Sequence, residues 1–76
     1  MQTEKTTMFS RRLINEGHVR HFTIRTVGLE GWDVLEEHDS TVIRQARYTD
    51  WHRVERARQM FTLRATVLAD GGWIES

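Results

Sequence analysis

The chain contains no cysteine and no proline. Without thiols it can form no disulfide, no cysteine-ligated zinc site, no iron–sulfur cluster and no thiol nucleophile. The absence of proline fits short turns made by Gly and Asp instead. It has a single Lys among eleven basic residues, the other ten being Arg. No apolar run approaches the roughly 18–20 residues of a membrane-spanning helix. The segment MQTEKTTMFSRR lacks the apolar stretch of a secretory signal, so the cytoplasm is the expected compartment. Net charge is also lacking, because eleven acidic residues balance the eleven basic ones. Strong long-range attraction to nucleic acid or to an anionic membrane is therefore not expected.

What remains is a chain of 76 residues, 38% hydrophobic and 29% charged, with a mean hydropathy of −0.60. A chain of this length makes one domain and buries only about 60% of the surface its unfolded form exposes. A deep catalytic cleft has little room. The Arg bias suits a binding surface, since guanidinium groups offer planar, bidentate donors.

The charges are segregated along the chain. Residues 1–28 carry a net +3, 29–40 a net −5, 41–69 a net +4 and 70–76 a net −2. An acidic block between two basic ones is expected to lie beside them and be neutralised by them.

Three strands are expected. His18–Val27 is rich in β-branched and aromatic residues, with Phe22, Ile24 and Thr26 on one face and His21, Thr23 and Arg25 on the other. Gly28–Gly31 makes a hairpin loop. Trp32–Glu37 is the second strand, with Trp32 and Val34 opposite Asp33 and Leu35. His38–Ser40 is the next turn, and Thr41–Tyr48 the third strand. Short connections make these an antiparallel meander.

A helix follows. Trp51, Val54, Ala57, Phe61, Ala65 and Leu68 recur at intervals of three and four, from about Trp51 to Ala69. Asp50 is its expected cap, with Thr49 the alternative. Gly71 and Gly72 stop it, and Trp73 can fold back onto Leu68. The expected fold class is α+β: a three-stranded meander packed against one C-terminal helix, βββα. The expected core is Phe22, Ile24, Trp32, Val34, Val54, Phe61, Ala65 and Leu68. Residues 1–17 read as an N-terminal arm, disordered at first and then irregular or one short helical turn holding Met8, Phe9, Leu13 and Ile14. Residues 18–76 read as the domain.

No catalytic constellation is present. His18 and His21 in HVRH would fall on opposite faces of a strand, so they are not a chelating pair, and no metal or cofactor is expected. His38 and His52 read as exposed polar residues. Glu36, Glu37 and Asp39 read as solvated charge at a hairpin end. No nucleophile elbow or phosphate loop occurs, so an enzyme is not expected.

The helix carries a second feature. With Trp51 at zero, Arg53, Arg56 and Arg64 fall at about 200°, 140° and 220°. Met60, Leu63 and Val67 fall at about 180°, 120° and 160°, away from the main apolar stripe near 300°. A helix that only covers a sheet is polar on that side. Either the N-terminal arm or a second copy of the chain is expected to cover this strip. Arg58, near 340°, is expected to extend from the edge of the core stripe or to pair with Glu55 or Glu36.

The run Gly31-Trp32 with Val34, then Arg44, Ala46 and Tyr48, then Thr49-Asp50 and WHRVERA, resembles small bacterial three-strand-plus-helix proteins. In layout, from about Arg20 to Phe61, it is similar to ethylene-response-type and integrase arm-type DNA-binding domains. That resemblance implies a sheet face laid in the major groove, with Arg25, Arg44 and Arg47 as the candidate nucleic-acid contacts. Asp33 and Glu37 on the same face would oppose phosphate, and Arg25 falls opposite Asp33. The reading that follows is a non-enzymatic interaction module. Its candidate interface is Met60, Leu63, Val67, Arg53, Arg56 and Arg64, its partner another protein or a second copy, and nucleic acid the alternative.

Overall fold

In a computed structural model, which describes residues 6–76, the chain forms one five-stranded antiparallel sheet and one helix. The strands are β1 (Thr6–Asn15), β2 (His18–Thr26), β3 (Trp32–His38), β4 (Thr41–Tyr48) and β5 (Ile74–Glu75). A single 3₁₀ turn, Gly28–Glu30, joins β2 to β3, and the helix α1 spans Trp51–Asp70. The sheet order is β4-β3-β2-β1-β5. Among the described residues no helix is long and apolar enough to cross a membrane.

The expected three-stranded meander is therefore too small. Its strands are present as β2, β3 and β4, but two more join them. From Thr6 on, the N-terminal segment is neither irregular nor a helical turn. It is β1, paired along its length with β2 from Thr6↔Thr26 to Asn15↔His18. The cause is a two-residue turn. Glu16 and Gly17 both have positive φ, 50° and 82°, the pattern of a type I′ hairpin, which matches the twist of the strands it joins. Read as a helix stop, Gly17 conceals that hairpin. Thr6 and Thr7, expected to be disordered, belong to β1, while residues 1–5 lie outside the described residues. The second new strand is the chain's last turn: Ile74 and Glu75 pair with Ile14 and Leu13 on the far edge of β1.

The helix is as expected at its start and one residue longer at its end. The Asp50 carboxylate accepts the His52 N–H at 2.9 Å, supplying one of the four orphan donors of the first turn. At the other end Gly72 has φ 104°. The Trp73 N–H reaches the Leu68 carbonyl at 3.0 Å and the Gly72 N–H reaches Ala69 at 3.1 Å. These are the two bonds of a Schellman ending. It turns the chain back so that β5 can meet β1.

One glycine is required by its surroundings. Gly31, φ 103°, lies so close to the end of β4 that an added Cβ would sit 2.2 Å from the Tyr48 carbonyl oxygen. This contact brings Trp32 and Tyr48 into register as cross-strand partners.

The helix lies across one face of the sheet and touches β1, β2, β3 and β4. Leu13, Phe22, Ile24 and Val34 from the sheet meet Val54, Phe61 and Ala65 from α1. The Phe22 and Phe61 rings are 5.0 Å apart, and Phe9 approaches Phe61 at 6.2 Å. Trp32 and Leu68, expected in the core, border it half-buried, with Trp73 beside them. Leu13, expected in the arm, is completely buried. The opposite face of the sheet has no second layer among the described residues. It still buries Leu35, at 8% exposed, among its cross-strand neighbours Thr23 and Gln45.

Candidate functional site

Strand β3 alternates, so its odd and even residues serve different faces. Trp32, Val34 and Glu36 point to the helix. Glu36 is therefore not a solvated charge at a hairpin end, as the sequence reading has it. It is 1% exposed. A carboxylate at that depth needs partners, and three arginines from three elements supply them. Arg20 on β2 donates to Oε2, Arg64 on α1 donates to Oε1 at 2.8 Å, and Arg44 on β4 stands 3.8 Å from Oε1. Arg58 takes no part. It is exposed and makes no ion pair among the described residues, because Arg64, two turns nearer the end of the helix, is the residue that faces Glu36.

The other face of β3 carries Asp33, 2% exposed. Arg47 grips it with two hydrogen bonds, 2.7 and 3.2 Å, and Arg25 lies 3.9 Å away. The hydrogen bond to Asp33 holds the proton on Arg47 more tightly than usual. The candidate nucleic-acid contacts thus do not converge. Arg25 and Arg47 share one acid on the outer face, and Arg44 points to the helix side. The remaining acids of the central block are also engaged. Glu30 lies 3.6 Å from Arg47, Glu37 4.0 Å from His21, and Asp39 2.8 Å from His18.

Apart from Arg64, pairing in the sheet leaves the helix cations over. Arg53 and Arg56 make no ion pair among the described residues, and Arg53 stands 5.8 Å above the Tyr48 ring. Together with Arg44 and Arg64 they wall a groove of about 400 Å³ between α1 and β4. Its floor is apolar, made by Val34, Ala46, Ala57 and Phe61, with Tyr48 and Met60 at the sides. Arg64 also borders a second, apolar hollow of about 310 Å³, lined by Leu63, Val67, Leu68 and Arg20. The six candidate interface residues therefore share one flank of the helix. Met60, Leu63 and Val67 are 49%, 59% and 62% exposed along it. Among the described residues the N-terminal segment does not cover them, since Phe9 and Leu13 are committed to the core on the other side of α1.

Sequence reasoning finds the helix half of this groove and misses the sheet half. Arg44, Ala46 and Tyr48 alternate along β4, and that period places all three under the helix. Strand β4 is also an edge of the sheet, so alternate backbone groups along it face outward without a strand partner.

The chain matches no family model, no curated protein and no solved structure.

Proposed function

We propose that this protein is a non-enzymatic interaction module that docks an acidic, partly apolar segment of a partner protein along the β4 flank of α1. The observation that carries this is the groove itself: four Arg side chains around an apolar floor, on a chain whose net charge is zero. The buried carboxylate beside it, Glu36, is already shared among three of the chain's arginines. Desolvated guanidinium groups beside aromatic and aliphatic surface are the composition of interface centres. The neighbouring hollow at Leu63 and Val67 extends the same surface with apolar character, so the matching segment carries acids followed by aliphatic side chains. The edge of β4 favours an extended segment, which can add to the sheet as a further strand. A second copy is the poorer occupant, because its own acidic block is spent on internal pairs and the two grooves would set Arg against Arg.

The test uses a fluorescein-labelled octapeptide of four Glu followed by four Leu, with a twelve-residue oligothymidylate as the rival probe. Saturable, salt-sensitive binding of the peptide is expected, weakened about tenfold or more by Arg53→Glu with Arg56→Glu, as like charges set against each other at an interface cost several kcal/mol. Tighter binding of the oligonucleotide than of the peptide would overturn the reading in favour of nucleic acid. A dimer at micromolar concentration by sedimentation, dissolved by Leu63→Glu, would overturn it in favour of self-association.

A further inference from the structure

The geometry points to a second site, at the end of the sheet away from the Gly31 loop: a divalent transition-metal site formed by His18, His38 and Asp39. His18 opens β2, His38 closes β3, and Asp39 is the first residue of the turn that follows. The antiparallel pairing of β2 with β3 brings the three together. Asp39 Oδ2 lies 2.8 Å from His18 Nδ1 and 3.4 Å from His38 Nε2. All three donor atoms fall within 4.8 Å of one another. Ligand atoms about 2.0–2.1 Å from a four-coordinate ion stand about 3.3 Å apart. Two of the three separations already bracket that value, and both imidazoles retain enough exposure for a small rotation to close the third.

The carboxylate is held for the task by independent contacts. Its other oxygen, Oδ1, accepts the Val19 N–H at 2.7 Å, and the Asp39 N–H donates to the Val19 carbonyl at 2.8 Å. Asp39 and Ser40 both have positive φ, 51° and 69°, which fixes a type I′ turn. The His18 and His38 rings stand edge to face at 5.8 Å, and Trp73 braces His38 at 6.5 Å. Such outer contacts orient ligands and raise affinity. Two imidazole nitrogens and one carboxylate oxygen suit zinc, nickel, cobalt or copper(II) and disfavour magnesium and calcium. Three protein ligands leave positions open to water or to a side chain of another molecule. The sequence reading tests His18 against His21, its neighbour in the chain. The partner across the hairpin is His38.

The test is calorimetric titration of the full chain with zinc chloride and nickel chloride, with magnesium chloride as control. One saturable zinc or nickel ion per chain is expected, with none for magnesium. His18→Ala, His38→Ala and Asp39→Asn should each weaken zinc about tenfold or more. Asn keeps the acceptor for Val19 and tolerates positive φ, so loss of binding in that variant is not loss of the turn. His21→Ala and His52→Ala should bind as the unaltered protein does. Binding should weaken from pH 8 to pH 6, because both imidazoles must be neutral to coordinate. Amide shifts on adding zinc should centre on His18, Val19, His38 and Asp39. Absence of saturable binding below millimolar zinc would overturn the site. So would zinc affinity left unchanged by His18→Ala and His38→Ala.

Discussion

The two faces of the sheet solve the same problem by different means. Each buries an aliphatic side chain from β3 and each buries a carboxylate, Val34 with Glu36 on one side and Leu35 with Asp33 on the other. On the first face a helix closes the layer and brings its own aromatic and its own arginine. On the second, among the described residues, closure comes from side chains and their cross-strand neighbours within the sheet. The difference teaches where stability and binding reside. The helix face concentrates the core, and the cations left over at its border form the groove. The outer face neutralises itself within the sheet.

The contrast is broken most severely by Phe61→Ala, which empties the centre of the helix face. A loss of about 3–5 kcal/mol is expected, measured by urea unfolding, enough to leave so small a domain largely unfolded. Leu35→Ala on the outer face should cost about 2 kcal/mol, the low end for a buried leucine, since mobile neighbours can collapse into the space. Equal costs would mean that something else covers the outer face.

The buried acids give a sharper comparison. Glu36→Gln leaves Arg20 and Arg64 facing a neutral amide between helix and sheet, and should cost about 2–3 kcal/mol, somewhat below the full cost of breaking a buried pair because both arginines reach solvent. Asp33→Asn should cost about 1 kcal/mol, because Arg47 is 45% exposed and can turn to water. A reversed order would place the tighter electrostatic lock on the outer face. Asp50→Ala acts on the helix alone and should cost about 1 kcal/mol, unless Thr49 takes over the cap.

The smallest effect lies outside both faces. The hydrogen bond to Asp39 raises the His18 pKa above 6.5, and the same bond lowers that of Asp39 below 3.8. A raised His contributes stability below its unfolded value and loses it as pH rises through the folded one. A lowered Asp contributes above its unfolded value and loses it as pH falls through the folded one. The pair therefore helps most between about pH 4 and 6.5. With chelator present, an NMR titration should show His18 titrating above the ordinary histidine value, and Asp39→Asn should remove that elevation. An unraised His18 in the unaltered protein would show that the pair is not formed in solution.

Much of the fold is legible because its signals are local. The Asp50 cap, the three-and-four spacing from Val54 to Ala65 and the Gly71-Gly72 stop are all read within a few residues. The alternation of Phe22 and Ile24 against Thr23 and Arg25 assigns the two faces of β2, and the opposition of Arg25 to Asp33 follows from it. The N-terminal strand was missed because Met8, Phe9, Leu13 and Ile14 fit a helical turn as well as a broken alternation. The bulge between Thr7 and Phe9 spoils the period further. Glu36 was misread for a different reason: its own parity pointed inward, beside Val34, while its acidic neighbours suggested solvent.

The elements with a short-range cause are written in the chain itself: β2, β3, β4, α1, its caps, and the apolar and arginine stripes on α1. Hydrogen bonding and side-chain periodicity act over a turn of helix or a pair of residues, so the chain states them directly. Whatever depends on partners far apart in sequence is set by the fold. Pairing with β2 made β1 a strand, and the Schellman turn delivered β5 to its edge. The helix crossing the sheet set Arg64 on Glu36 and left Arg53 and Arg56 facing Arg44 across the groove. A buried charge takes whichever opposite charge the packing brings within reach, and that choice is made by the fold as a whole.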